Sequence, residues 1–251
     1  MIGDVIGKPG RRALSELLPG LRYEYRFNLI IANGENAAGG IGITPAIADE
    51  LLVSGVDVIT TGNHIWAQKE IIPYLDSQNP ILRPLNFPPN TPGRGYLFLK
   101  QVMVVNLVGR TFIGNFDCPF RAMDGLLRSL EIKPAVTIVD FHAEATSEKV
   151  AMGRYLDGRV SAVLGTHTHV GTIDTIILPG GTAYVTDVGM VGPEDSVIGD
   201  DAEAVIHSFL TKMPHRLSVG KGKIIFNAVI VEVDENSGKA ISITRFEREV
   251  V

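Results

Sequence analysis

Val160-Ser161-Ala162-Val163-Leu164-Gly165-Thr166-His167-Thr168-His169 is a short apolar run that stops in a polar cluster. Its apolar part, 160–164, is near-continuous and β-branched, the form of a strand covered on both faces. The same form recurs at 26–33, 57–61, 102–107 and 135–141. Between these runs lie helical patterns at 10–18, 44–54, 67–77, 120–131, 147–156 and 201–211. Thr44-Pro45 opens the second with Pro in the first turn, and Asp200 or Asp201 is placed to cap the last. Strands alternating with helices predict an α/β fold. The end of the chain differs: 223–232 and 239–247 read as two strands joined by a turn at 234–238, so that end is expected to be antiparallel.

Each strand run ends in a group that can bind metal or move protons. The first ends at Asp4, the second runs into Asn33-Gly34-Glu35-Asn36, and the third ends in Gly62-Asn63-His64. The run at 135–141 ends in His142, and the quoted stretch ends in His167 and His169. In an open α/β sheet the carboxyl edge of the strands is where ligands bind. Each residue alone has a plain alternative. Asp4 could cap a helix, Asn63 could serve a turn, and His142 could be a satisfied core histidine. His167 and His169 are stronger, because alternate residues at a strand's end project to one side. Five strand ends carrying such groups together point to a metal site. Mixed imidazole, carboxylate and amide oxygen suits Mn, Fe or Zn. Asp4, Glu35, Asn36, Asn63, His142, His167 and His169 are too many ligands for one tetrahedral ion, so two ions are expected. Glu35, with two oxygens in mid-constellation, is the natural bridge.

Composition bounds the rest. The 251 residues carry 23 Lys+Arg against 28 Asp+Glu, a net charge of −5 that argues against a nucleic-acid scaffold. Cys118 is the one cysteine, which excludes an intrachain disulfide and a Cys-based zinc site. No apolar run reaches the roughly 18 residues of a membrane span, and no signal-peptide pattern opens the chain. A cytoplasmic protein with no membrane or stable nucleic-acid partner is expected, with homo-oligomerisation left open. We read one domain over 1–251, with lid segments near 79–97, which holds five prolines, and 108–131. Met1-Ile2-Gly3 leaves little room for a strand before Asp4, so this end reads as a shortened start with Asp4 loosely held.

Competing motifs fail. Gly3–Pro9 lacks the spacing and the Ser/Thr of a phosphate-binding loop, and His142-Ala143-Glu144 lacks the downstream cysteine pair of a zinc deaminase. Ser147 and Cys118 have no adjacent base.

The order Asp, acidic residue, Gly-Asn-His, lone His, Gly-x-His-x-His resembles the calcineurin-like metallophosphoesterases. More closely, the chain resembles the YmdB family of bacterial phosphodiesterases. The matching blocks include Gly3–Gly10, Asn33–Gly40, Gly62–His64, Arg83–Pro88, Asp140–Lys149, Gly165–Val170 and Thr186–Met190. The resemblance implies a layered α/β sandwich of two mixed sheets flanked by helices, with a small cap-like irregular region. It implies a binuclear phosphodiesterase that hydrolyses cyclic nucleotides such as 2′,3′-cAMP, with a hydroxide held between two divalent ions attacking phosphorus. Asp4, Glu35, Asn36 and His169 would serve one ion. Glu35, Asn63, His142 and His167 would serve the other, and His64 would be the general acid. Iron or manganese is expected first, and zinc after them. Two departures from the wider superfamily stand out: the first motif is Asp4-Val5-Ile6, without its histidine, and Glu35 replaces the usual bridging Asp. Arg83, Arg110 and Arg121 are candidates to touch phosphate or base, and Asp140 and Asp187 to orient the histidines. His207 and His215 read as surface residues.

Two rivals stand beside this reading. A metal-dependent amidohydrolase also carries His-x-His, but on its first strand. A metal-binding regulatory protein would need no proton donor such as His64.

Overall fold

Two six-stranded sheets form the centre of the molecule across residues 1–250, the part that the computed structural model describes. In chain order the elements are β1 (Ile2–Val5), α1 (Gly7–Tyr25), β2 (Ile31–Asn33), α2 (Pro45–Val53), β3 (Val58–Thr60), α3 (Ile71–Leu75) and β4 (Tyr96–Leu99). Then come β5 (Val102–Val108), α4 (Pro119–Ser129), β6 (Val136–His142), α5 (Thr146–Leu156), β7 (Ala162–Thr166), β8 (Ile176–Ile177) and β9 (Ala183–Val185). The chain closes with β10 (Met190–Pro193), α6 (Ala202–Thr211), β11 (Ile224–Val233) and β12 (Ala240–Val250).

The first sheet runs β12-β11-β10-β1-β2-β3, and the second β4-β5-β6-β7-β9-β8. The central strands are parallel: β10, β1, β2 and β3 in one sheet, β5, β6, β7 and β9 in the other. The antiparallel strands lie outside them, with β11 and β12 forming the expected hairpin. Side-chain alternation then sorts the core into layers. Ile31, Val58 and Val229 of the first sheet meet Val104, Ile138, Leu164 and Val185 of the second. On the outer faces, Leu14, Leu18, Leu51 and Ile71 cover the first sheet, and Met123, Leu126, Met152 and Leu156 cover the second. The α/β sandwich of two mixed sheets flanked by helices is therefore the architecture, and the β-branched runs are continuous because both faces of each sheet are buried.

Local boundaries follow local chemistry. The Thr44 hydroxyl accepts from Ile47 N at 3.3 Å and Asp201 accepts from Ala204 N at 3.0 Å, so both caps hold. Helix α1 runs on past the expected 18, through Pro19 to Tyr25, because the buried stripe Leu14, Leu18, Leu21 outweighs one lost backbone bond. The expected strand at 26–33 therefore starts only at Ile31. Helix α3 is shorter than 67–77. Strands β4, β8, β9 and β10 are not among the expected runs.

The expectation that Asp4 is loosely held is corrected by the pairing of β1. Ile2–Val5 is a fully buried strand with neighbours on both sides: Asp4 pairs with Met190 and with Asn33, and Ile2 with Ala228. Asp4 is held by three strands rather than by the length of its own. Among the described residues no helix is long and apolar enough to cross a membrane.

Candidate metal centre

The parallel strands of the two sheets bring their carboxyl ends together. Asp4 lies at the end of β1, Glu35 and Asn36 just past β2, Asn63 and His64 past β3, His142 ends β6, and His167 and His169 follow β7. Two adjoining groups result. In the first, Glu35 Oε1 lies 2.9 Å from His142 Nε2, which lies 3.0 Å from His167 Nδ1. These side chains offer ligand atoms all within 4.8 Å of one another. In the second, His169 Nε2 lies 3.6 Å from Asp4 Oδ1 and 3.1 Å from the Asn36 amide. Asp4 Oδ1 is 3.9 Å from His142 Nδ1, so the groups share a wall. The backbone N–H of His64 donates to Glu35 Oε2 at 3.0 Å, which places the half-buried His64 at the rim.

The far nitrogen of each histidine decides its tautomer. His142 Nδ1 meets the Thr166 hydroxyl at 2.9 Å, and that hydroxyl donates to Asp140 Oδ1 at 2.7 Å. His167 Nε2 meets Glu144 Oε2 at 3.1 Å, and His169 Nδ1 meets the Ile198 carbonyl at 2.6 Å. Each far nitrogen thus carries the proton. The other nitrogens turn inward: His142 Nε2 faces Glu35 Oε1, His169 Nε2 faces Asp4 Oδ1, and His167 Nδ1 faces His142 Nε2. Three buried oxygens there, Asp4 Oδ1, Glu35 Oε1 and Asn63 Oδ1, have no hydrogen-bond partner. Glu35 Oε1 remains orphaned despite its 2.9 Å approach to His142 because two acceptors face each other. Lone pairs aimed at one another in a buried space fit a cation between them.

With no cation between them, the carboxylates instead favour protons on the histidines that face them, and Glu35 and Asp4 raise His142. Burial would raise Asp4 and Glu35, but the facing histidines outweigh it and hold both below the usual carboxylate range. Burial disfavours a charged His169, yet Asp4 and the Ile198 carbonyl hold it up at about 9. His167 is pushed down to about 3 by burial and by His142. Asp140 is pushed up to about 6 by burial.

The backbone is strained where the ligand candidates sit. Strand β7 ends at Thr166, so strand alternation does not bring His167 and His169 to one side, contrary to the expectation. A turn does, with φ at 101° for His167 and 66° for His169. Thr168 between them is pinned: its N–H and hydroxyl donate to Asp187 Oδ2 at 3.1 and 2.8 Å, and buried Lys149 donates to the same oxygen at 2.6 Å. Asp187 thus holds the turn without touching a histidine, whereas Asp140 acts on His142 through Thr166. Gly62 is required by close approach, since a Cβ there would run into His142 and Glu35.

Other candidates lie elsewhere. Arg83 is occupied: its guanidinium donates to the Pro84, Leu85, Thr91 and Pro92 carbonyls and staples its own loop. Arg110 and Arg121 are exposed, and Arg110 lines a cleft of about 480 Å³ with Asn115 and Glu148. His207 and His215 are exposed neighbours on the surface, as read. Thr166, Asn33 and Glu144 carry no site role in the sequence, yet each stands against the histidines or Asp140. Asn33 is buried and donates to Asp140 Oδ2 at 3.2 Å. Glu148 accepts the backbone N–H groups of Arg110 and Thr111 at 3.0–3.1 Å, tying the loop after β5 to the first turn of α5. A cavity of about 500 Å³ lies between the sheets at the opposite ends of the strands, among Leu18, Ile31, Val136, Leu164 and Phe246.

A two-sheet α/β sandwich with Asp, Glu, Asn and three His converging at its strand ends is a metallophosphoesterase-like protein. A family model described as YmdB-like protein matches residues 1–246. A 2′,3′-cyclic-nucleotide 2′-phosphodiesterase of Bacillus subtilis is 48% identical over 248 residues, covering 97% of this chain and 94% of the relative. Among solved structures, a hypothetical protein of Thermus thermophilus superposes with a TM-score of 0.93 at 45% identity, covering 99% of this chain and 97% of that one. A phosphatase of Mycoplasma pneumoniae gives 0.92 at 35% identity, with 99% and 92% covered. The chain belongs to the YmdB-like family.

Proposed function

We propose that the protein is a binuclear metallophosphodiesterase that opens 2′,3′-cyclic nucleotides. The observation that carries this is the convergence of inward lone pairs and orphaned oxygens at the strand ends. The similarity to the Bacillus subtilis phosphodiesterase supplies the substrate class. Asp4, Glu35, Asn36 and His169 would hold one divalent ion, and Glu35, Asn63, His142 and His167 the other. The donor set suits iron or manganese, then zinc. The ions, when bound, would supply a water of lowered pKa and positive charge for the phosphoryl oxygens.

The chain's own residues do the rest. Glu35 spans the two groups and holds the His64 backbone at 3.0 Å, so the loop carrying the proton donor is anchored to the ligand set. His64 gives its proton to the departing ribose 2′-oxygen as the P–O2′ bond breaks and the water oxygen bonds to phosphorus, which leaves a 3′-phosphate. The far-nitrogen contacts of His142 and His169 orient both rings so that the inward nitrogens face the two cation positions, where a bound ion would replace the proton. The reading takes 1–251 as one domain, with 79–97 and 108–131 framing the mouth. Asn86 supports this by bonding to the Val108 and Asp117 carbonyls, both at 2.8 Å.

The test is hydrolysis of 2′,3′-cyclic AMP by protein whose metal content is measured by elemental mass spectrometry. Two Mn or Fe per chain with release of 3′-AMP, abolished by a chelator, is the expected result. Metal-loaded protein inert towards 2′,3′-cyclic nucleotides and towards bis-p-nitrophenyl phosphate would sink the proposal.

A further inference from the structure

Glu144 has no part in the ligand set, yet it meets a histidine that does. Strands β6 and β7 are parallel, with His142 opposite Thr166. The residues just beyond each strand are therefore neighbours, and the spacing His142-Ala143-Glu144 carries a carboxylate to His167. Glu144 Oε2 stands 3.1 Å from His167 Nε2. The contact is not forced by burial, since the Glu144 side chain is 48% exposed. The other two histidines give their far N–H to neutral acceptors, a threonine hydroxyl and a backbone carbonyl. His167 alone gives it to a carboxylate. It is also the histidine with the more unusual backbone, at φ 101°.

We infer that Glu144 is a positioning residue that fixes the orientation and tautomer of His167 and so strengthens cation binding at the Glu35–His142–His167 group. The inference rests on the two-ion reading of the site but not on its substrate. A carboxylate that accepts the far N–H keeps the inward nitrogen free of a proton and makes it a better donor. Its charge also offsets the like polarity of two imidazoles whose nitrogens stand 3.0 Å apart.

Titration of the whole metal-free chain with Mn²⁺ against a chromogenic chelator tests this. In Glu144→Ala one of the two Mn²⁺ ions is expected to bind about 10–100-fold more weakly, the usual effect of losing such a partner. Glu144→Gln, whose amide oxygen still accepts the N–H, should fall between Glu144→Ala and wild type. The visible spectrum of the Co²⁺-loaded protein should shift in Glu144→Ala, while the Tm of the metal-free protein stays unchanged. Wild-type affinity and an unshifted spectrum in Glu144→Ala would overturn the inference. So would a Tm loss in the metal-free variants that tracks the loss of affinity, which marks a structural role. Wild-type protein that binds two Mn²⁺ but leaves 2′,3′-cyclic AMP intact would overturn the proposed function and leave this inference standing. Wild-type protein that takes up no Mn²⁺ would overturn both.

Discussion

The same parallel strands have two very different ends. At their carboxyl ends, buried Asp4, Glu35 and Asp140 crowd against three histidines, with strained backbone and orphaned oxygens. At their amino ends, Leu18, Ile31, Val136, Leu164 and Phe246 surround a cavity of about 500 Å³. By its apolar walls the second end is where a ligand would be sought first. By chemistry it is the first. The polar end concentrates interactions that lower the stability of the metal-free fold, which is the mark of a site built for something else. The apolar end lacks packing and has no chemistry to lose. Changes at the first end should therefore alter function more than stability, and changes at the second the reverse.

Glu35→Ala should break the polar end most completely. It removes the oxygens that face His142 Nε2 and the His64 N–H, so bound metal should drop and turnover should fall by more than the about 10²–10⁴-fold that a proton donor is worth. Elemental analysis beside a cyclic-nucleotide assay checks both. His64→Ala should cost turnover within that range and keep the metal. Loss of metal in this variant would move His64 from proton donor to support.

Asp140→Asn sharpens the contrast, because stability and function should move in opposite directions. The folded-state value of Asp140 is pushed up to about 6, above its ordinary 3.8. Its ionised form therefore costs stability, absent below 3.8, growing as pH rises and complete above about 6. Removing the charge should stabilise the metal-free protein at pH 7.5 by about 2 kcal/mol, a little under what two pKa units are worth, since an amide makes poorer bonds to Asn33. The gain should vanish as pH falls to 4. Mn²⁺ affinity should drop about tenfold, because the Thr166 hydroxyl that orients His142 loses its charged acceptor. Urea denaturation across pH and a chelator titration measure the two effects; a pH-independent gain would show that the buried charge is not its cause.

The smallest effect belongs to the other end. Ala228→Val adds two methyl groups at the cavity wall and should stabilise by on the order of 1 kcal/mol, with turnover unchanged. A change in turnover would show that the two ends are coupled.

The sequence makes the polar end legible for a physical reason. Candidate ligands in an α/β fold follow buried strands, so Asp4, Glu35, Asn63, His142 and His167 are picked out simply by reading what comes after each apolar run. The partners that orient them are not found this way. Thr166 inside a strand, Asn33 at the end of one and Glu144 on a loop gain meaning only once β6 and β7 are in register and the sheets face each other. The same holds for His167 and His169, which a strained turn brings together rather than strand alternation. Arg83 looks free in sequence because the carbonyls it serves are seen only when the loop closes on itself. The short β1 gave the wrong impression for a related reason: its hold comes from β2, β10 and β11, of which β10 is itself not among the expected runs.

The stretch from His142 to Lys149 performs four separate tasks within eight residues. His142 faces Glu35, Glu144 faces His167, Glu148 anchors the loop at Arg110, and Lys149 braces the Thr168 turn through Asp187. Each task depends on a fixed count of residues from the end of β6. A single insertion or deletion here would rotate α5 by about 100° and misdirect the last two partners at once. The length of this stretch is therefore as much a determinant of the site as the identity of any residue in it.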